Sequence, residues 1–171
     1  LSGQKHVVPD GGCAETVLVS AMNGDELLIL ALPVEQCQIE RYRLLDGGRA
    51  ASLTLDDLEV SDAMILCRGE VARQAVSGWF DYLCALDCAR MYGAASQVFQ
   101  HTLEYARTRK QFGKAIGSFQ VIQHYLVDMF IDLQQLESML LMVLVKAESE
   151  AVSQRARATA AAKAYYAGQA V

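Results

Sequence analysis

Two kinds of hydrophobic pattern divide the chain near residue 70. Before this point, apolar residues occur in short runs or alternate with polar ones, as in residues 16–20, 26–32, 38–44 and 51–60. After it, apolar residues recur at steps of three and four. The first pattern is typical of β-strands and the second of helices, so the chain is predicted to be β-rich first and helical afterwards.

Turn sequences between the early runs favour an antiparallel β part. Asn23-Gly24-Asp25 is a hairpin turn signal, and Asp46-Gly47-Gly48 turns the chain before the next run. With a strand at the start of the chain, four or five antiparallel strands with short loops are predicted. A sheet this small leaves unpaired edges, which suggests that further strands are missing. The expected inward residues of the run 51–60 are Leu53, Leu55 and Leu58.

The helical part is predicted to contain three helices. The first extends over more than thirty residues from about Glu70, the second from about Ser118 to Ser149, and the third begins near Ala151. Ser118 is the expected N-cap of the second helix. Residues 139–145 are apolar on all sides, so that end should be buried all round, with another subunit as one candidate cover.

These patterns predict an α+β protein. A partial antiparallel β domain over residues 1–69 is followed by an up-and-down helical bundle over residues 70–171, because long helices with short connections form such bundles. The chain also begins in a strand pattern and stops inside an alanine-rich helical pattern, which suggests a piece of a longer protein.

Charge, cysteine spacing and apolar run length argue against a nucleic-acid partner, a metal site and a membrane span. The net charge of −5 argues against a nucleic-acid partner. Five scattered cysteines without ligand spacing favour free thiols in a reducing compartment, and no metal site is expected. The longest apolar run, residues 139–145, is too short to span a bilayer.

Residues 107–120 (RTRKQFGKAIGSFQ) hold the most informative chemistry. Four cations lie beside two phenylalanines, two glycines and two glutamines. Arginine offers a bidentate fork to phosphate oxygens, and phenylalanine offers a flat face, so a phosphate- and ring-bearing ligand is one interpretation. The other is a helix–helix corner with solvated charges. The residue types alone leave both open.

The chain resembles the acyl-CoA dehydrogenase family over essentially its whole length. The helical half carries the motif Arg109-x-Gln111-Phe112-Gly113, followed at fixed spacing by Ile116, Phe119-Gln120, Gln123 and Asp128-Met129. The β half agrees through Leu1-x-Gly3-x-Lys5, residues 10–14 (DGGCA) and residues 18–21 (LVSA). The resemblance implies that residues 1–69 are the latter part of the family's middle β domain. Residues 70–171 would be the first half of its C-terminal four-helix bundle.

The resemblance implies FAD as the cofactor and a loop that reaches the FAD of a neighbouring subunit. Arg109 would contact the FAD pyrophosphate, with Gln111 and Phe112 close by, and Gln120 would be a further contact. Taken alone, Gln120 is equally an ordinary polar residue at the start of a helix.

Several positions depart from the common family pattern. Val7, Val8 and Pro9 stand where members carry Trp-Ile-Ser/Thr against the flavin. On the first helix, Asp81 matches a family aspartate, but Cys84 replaces the arginine that follows it; both remain weak substrate-binding candidates. A minority of members place the catalytic glutamate on that helix, where this chain has a leucine, Leu83. The usual catalytic glutamate would lie beyond Val171, so no catalytic base is assigned.

These departures, with residues 46–51 (DGGRAA), look most like the noncanonical subfamily that includes the pimeloyl-CoA dehydrogenase small subunit and the paired subunits of steroid side-chain degradation. The resemblance implies α,β-desaturation of an acyl-CoA thioester in the bacterial cytoplasm. The implied assembly is a homodimer, a homotetramer or a heterotetramer with a paralogous subunit. One alternative is a catalytically silent subunit that completes a paralogue's FAD site, and a weaker one is a helical interaction module.

Overall fold

The computed structural model describes residues 1–147 and 151–169. It divides into two compact units, residues 1–76 and 77–171. The first unit is mainly β and the second mainly helical, with the first long helix beginning inside the first unit and one short β-hairpin in the second. The predicted α+β class is confirmed.

The first unit contains two three-stranded antiparallel sheets, in the orders β1-β5-β4 and β2-β3-β6. A two-residue loop joins β2 to β3 at the predicted turn, and Gly24 there has φ 60°, which glycine adopts without strain. The strands are β1 (Gly3–Pro9), β2 (Thr16–Asn23), β3 (Glu26–Pro33), β4 (Gln38–Arg43), β5 (Arg49–Leu55) and β6 (Ile65–Arg68).

One hydrophobic core lies between residues of both sheets. Leu30 and Leu32 from β3 and Leu53 from β5 are at most 1% exposed. They follow the period of two that places alternate side chains on one face of a strand. Leu55 is buried as predicted, and Leu58 is partly buried against the same core.

Two details of the β part differ from the prediction. The first unit has six strands, whereas four or five were predicted. The strand β6 has no local signal in the sequence, because it is only four residues long and pairs with β3, which is far from it along the chain. The run 51–60 is a strand only to Leu55. The chain turns at Asp57, whose φ of 48° is left-handed, and Ser2 Oγ accepts the Asp57 N–H.

The second unit is helical and contains most of α1 (Gly69–Thr108), all of α2 (Gln120–Ala147) and α3 (Val152–Gln169). The three predicted helices are therefore present. Val143 of α2 and Ala162 and Tyr166 of α3 are almost completely buried in one cluster with α1. Burial, with nearby Cys88 and Tyr92, raises the pKa of Tyr166 to about 12. Its hydroxyl donates to the Leu136 carbonyl at 2.6 Å, which joins α3 to α2.

The prediction of Ser118 as an N-cap is wrong. Ser118 ends a short 3₁₀ turn, and its hydroxyl donates to the Ala115 carbonyl at 2.7 Å. The helix begins two residues later, and the Phe119 carbonyl accepts the first N–H groups, from Ile122 and Gln123. The predicted end at Ser149 lies outside the described residues.

The apolar end of α2 is only partly covered by its own chain. Val143 is fully buried, but Leu141, Leu144 and Val145 are 57%, 43% and 71% exposed. Burial all round therefore stays a prediction about residues or subunits outside this structure. Among the described helices, none has an apolar stretch long enough to cross a bilayer.

The core assignment predicts that two leucine substitutions change the free energy of unfolding by very different amounts. Leu53→Ala removes a side chain that is 1% exposed and should lower the free energy of unfolding by about 2–5 kcal/mol. Leu45→Ala, at a fully exposed leucine, should change it by less than about 0.5 kcal/mol. Urea unfolding followed by circular dichroism measures both, and equal effects would contradict the assigned core.

Candidate functional site

The loop between α1 and α2 is a small β-hairpin. Strands β7 (Lys110–Gln111) and β8 (Lys114–Ala115) pair antiparallel, and Phe112-Gly113 forms a two-residue turn with φ of 53° and 80°. Left-handed φ at both central positions is the requirement of a type I′ turn. Glycine meets it freely, but a phenylalanine there stores strain of about 1–3 kcal/mol.

The hairpin is fixed at its base by backbone contacts. The Arg109 N–H donates to the Tyr105 carbonyl at 2.8 Å, and the Arg109 carbonyl accepts the Ile116 N–H at 2.9 Å. Gly117 then lies against the end of α1, so that a Cβ on it would stand 2.9 Å from the Ala106 carbonyl oxygen. Only glycine allows this approach without a shift of backbone.

Phe119 organises the side chains of the hairpin. The Phe112 ring meets it edge to face, with ring centroids 6.2 Å apart, and the Lys114 Nζ lies 4.3 Å from its ring centroid. Both geometries are favourable aromatic contacts. The Gln123 amide adds a hydrogen bond of 3.1 Å to the Gly117 carbonyl. The tip of an exposed loop is thus held in one shape.

The hairpin presents unneutralised positive charge. Arg107, Arg109 and Lys110 are exposed, and neither ion pair found among the described residues involves them. Lys114 is the exception, since its ammonium group lies on Phe119. The sequence suggested four equivalent cations; the structure distinguishes three that face solvent from one that supports the loop.

The predicted site residues Arg109, Gln111 and Phe112 lie together on this hairpin, and Gln120 is the first residue of α2. Phe112 is 92% exposed despite its strained backbone. The Gln111 amide donates to the Lys110 carbonyl, and Gln120 is exposed. A planar cation on a backbone held by two hydrogen bonds, two side-chain amides and an exposed ring suit the diphosphate and adenosine of a dinucleotide cofactor.

The weak substrate-binding candidates lie far from the hairpin. Asp81 precedes Arg107 by 26 residues on the same helix, which separates their backbones by about 40 Å along its axis. The Asp81 Oδ1 accepts a hydrogen bond from the Thr159 hydroxyl at 2.9 Å, and Thr159 is buried. Cys84 is partly exposed one turn later. Within this structure Asp81 links α1 to α3, a contact that sequence reasoning missed because 78 residues separate the pair.

A second unusual backbone conformation occurs at Val7. The β1–β5 pairing is irregular between Lys5 and Val8, and Val7 has φ 53° with its side chain 56% exposed. A β-branched residue in this region is an outlier that needs outside support. The Tyr42 hydroxyl provides some, because it accepts the Val7 N–H at 3.0 Å. No hydrophobic pattern signals this conformation in the sequence.

Two histidines in the described part of the chain make only single side-chain contacts. His6 contacts Ser52 Oγ, and His101 contacts the Gln97 amide, both through single ring nitrogens. Within the described ranges, no group of three His, Cys, Asp or Glu side chains could hold a metal ion.

Comparison with known proteins identifies the family. The family model described as "Acyl-CoA dehydrogenase, C-terminal domain" matches residues 73–171. The chain belongs to the acyl-CoA dehydrogenase family. The Arg109–Gln120 region and all three helices except the first residues of α1 lie within the matched range.

Individual relatives agree with this assignment. The probable acyl-CoA dehydrogenase YngJ of Bacillus subtilis is 28% identical over 158 residues, covering 82% of this chain and 40% of that protein. A variant of the Tcur3481–Tcur3483 steroid ACAD superposes with a TM-score of 0.79 at 28% identity, covering 99% of this chain and 45% of that one. The ChsE4–ChsE5 complex from Mycobacterium tuberculosis gives 0.77 at 27%, covering 100% and 48%. The chain spans less than half the length of these relatives.

The contact at Gly117 predicts a position-specific effect of one methyl group. Gly117→Ala should lower the free energy of unfolding by about 1–3 kcal/mol through overpacking, and should speed amide hydrogen exchange across residues 109–119. Gly93→Ala is the matched control, because a methyl group there meets nothing within 4 Å and alanine favours a helix. If both substitutions leave hairpin exchange unchanged, Gly117 does not hold the loop.

Proposed function

We propose that the full-length protein is a FAD-dependent acyl-CoA dehydrogenase that introduces an α,β double bond into an acyl-CoA thioester. Bound FAD would supply the hydride acceptor for this reaction. The observation that supports the proposal best is the hairpin. It carries two residues of the motif Arg109–Gly113, an exposed Arg109 and a Phe112 that is exposed although its backbone is strained. Strain retained at an exposed position favours a functional role over a solvated corner.

Each hairpin residue has a role that its geometry allows. The Arg109 guanidinium would bind the FAD pyrophosphate through its two-pronged donor face. The amides of Gln111 and Gln120 would bind polar groups of the adenosine part, and the exposed Phe112 ring would cover a flat face. The N-terminus of α2 at Gln120 adds a favourable dipole for the same negative charge.

The position of the hairpin supports a flavin held by a neighbouring subunit. Asp81, the family-matched candidate for the substrate, lies about 40 Å along α1 from Arg107. One helix therefore carries its substrate candidate near one end and its phosphate candidate at the other. Such a helix would serve two different catalytic centres in an oligomer, one through each end.

This chain offers no proton acceptor at the helix position used by a minority of the family. Leu83 occupies it, is 37% exposed and has no group that can take a proton. The base that removes the substrate α-proton would therefore come from outside residues 1–171 or from another subunit.

A second candidate function is a catalytically silent partner that completes a paralogue's FAD site. Three positions favour it: Val7 and Cys84 stand where the resemblance places a flavin-side aromatic and an arginine, and Leu83 stands where a minority of members carry the catalytic glutamate. Two related solved structures are also named as pairs of different components, Tcur3481–Tcur3483 and ChsE4–ChsE5. Arg109 would keep the same role in this candidate.

Arg109 is expected to carry cofactor affinity in the full-length protein or its complex. Arg109→Ala should raise the FAD dissociation constant about 10- to 150-fold, the loss of charge-assisted hydrogen bonds worth about 1.5–3 kcal/mol. Arg109→Lys should recover only part, since lysine lacks the fork. Fluorescence titration measures the constants. The control is Arg157→Ala, at an exposed α3 arginine, and an unchanged constant in Arg109→Ala refutes the assigned role.

Flavin content and turnover separate the two candidate functions. The full-length protein would be purified alone and together with its genomic neighbour subunit, and acyl-CoA-dependent flavin bleaching would be followed in each. An enzyme complete in itself is yellow and active alone. A partner subunit gains flavin and activity only when co-purified, so activity alone eliminates the second candidate.

A further inference from the structure

Three arginines share one face at the end of the β4–β5 ladder in the first unit. Arg43 of β4 is paired directly opposite Arg49 of β5, and Arg41 lies two residues along β4 on the same face. Side chains opposite each other start about 5 Å apart, and next neighbours along a strand about 7 Å. All three are exposed, and the guanidinium groups of Arg41 and Arg49 contact two adjacent residues, Gly12 and Cys13.

None of the three arginines has a carboxylate partner among the described residues. Like charges directly opposite on neighbouring strands are destabilising, and the chain as a whole is acidic with a net charge of −5. The placement of Arg43 opposite Arg49 is therefore an unfavourable pairing, and no hydrogen bond or ion pair of the Arg43 side chain with a described residue offsets it.

Two of the arginines are oriented by the turn that follows β1. The Arg41 Nε donates to the Gly12 carbonyl at 2.9 Å, and a Cβ on Gly12 would lie 2.8 Å from the Arg41 Cγ. The Arg49 Nη1 contacts the Cys13 sulfur at 3.6 Å. These contacts leave the terminal nitrogens of Arg41 without a hydrogen bond to any described residue. The arginines are thus held in place while donors stay available.

We propose that Arg41, Arg43 and Arg49 form a binding site for the phosphate of an organic phosphate ligand. Guanidinium groups bind phosphate oxygens through paired donors, and several together compensate a dianion. The identity of the ligand rests on the proposed function: both the CoA part of the substrate and FAD carry phosphate. The site differs from the hairpin, which lies on other elements and in the second unit.

Thermal unfolding of the full-length protein tests the site itself with inorganic phosphate as the probe. Phosphate, compared with chloride at equal ionic strength, should raise the unfolding midpoint by ligand linkage. Arg43→Gln should reduce this difference to the general stabilisation that phosphate gives a folded protein by exclusion from its surface, because the variant lacks one guanidinium of the site. No side-chain hydrogen bond or ion pair of Arg43 is lost from the described structure by this substitution. Arg68→Gln is the control, since Arg68 is paired with Asp62 at 2.7 Å. An equal phosphate effect in wild type and Arg43→Gln, or none in wild type, overturns the proposal.

A second measurement separates binding from a structural role. Without phosphate and at low salt, Arg43→Gln should unfold at the same or a higher temperature than wild type, because it removes a like-charged neighbour of Arg49. A lower midpoint would mean that the arginines serve folding, and the proposal would fall.

Nucleotide probes identify the source of the phosphate. If CoA raises the unfolding midpoint more than dephospho-CoA does, and this excess disappears in Arg43→Gln, the ligand group is the CoA phosphomonoester. If FAD raises the unfolding midpoint of the wild type and not that of Arg43→Gln, the ligand group is the FAD pyrophosphate. If Arg43→Gln alters neither nucleotide effect, the site binds an adventitious ion only and the proposal fails. None of these readouts needs turnover, so failure of the dehydrogenase proposal is recognised separately, through the flavin content and turnover of the full-length protein.

Discussion

The close approach of Gly117 to the Ala106 carbonyl is the contact on which the candidate site depends. It places the 3₁₀ turn that follows the hairpin (Ile116–Ser118) against the last turn of α1, and a Cβ on Gly117 would meet that oxygen at 2.9 Å. The Arg109–Ile116 backbone bond and the Phe112–Phe119 ring contact then fix a loop that would otherwise move freely in solvent. An exposed guanidinium on a rigid loop loses less conformational entropy on binding than one on a mobile loop.

Two candidate residues on or next to α1 differ in whether the chain itself supplies their partner. Asp81 is used within the bundle by Thr159, whereas Arg109, just past the far end, has no ion-pair partner among the described residues. The proposed function gives meaning to this division, because the hairpin of one subunit would reach the flavin of another. Val7 and Leu83, which motivate the silent-partner candidate, lie outside the hairpin, on β1 and α1.

The sequence predicted the elements whose signals are local. The three- and four-residue period yielded α1, and Asn23-Gly24 yielded the β2–β3 hairpin, because both depend on neighbouring residues. It missed β6, which exists only through pairing with a distant strand. It misplaced the N-cap at Ser118, because a 3₁₀ turn precedes α2 there. The motif located the candidate site, but nothing in it showed that Lys114 supports Phe119 rather than facing solvent.

The central claim is that Arg109 binds the flavin nucleotide of a neighbouring subunit. A crystal structure of the full-length protein or its complex with FAD tests it most directly, through the distance from the Arg109 guanidinium to the nearest FAD phosphate oxygen. We expect a charge-assisted hydrogen bond of about 2.7–2.9 Å between the Arg109 guanidinium and a FAD whose flavin ring lies in another subunit. A FAD bound entirely within one chain, or an Arg109 that faces solvent beside a fully occupied flavin site, would contradict it.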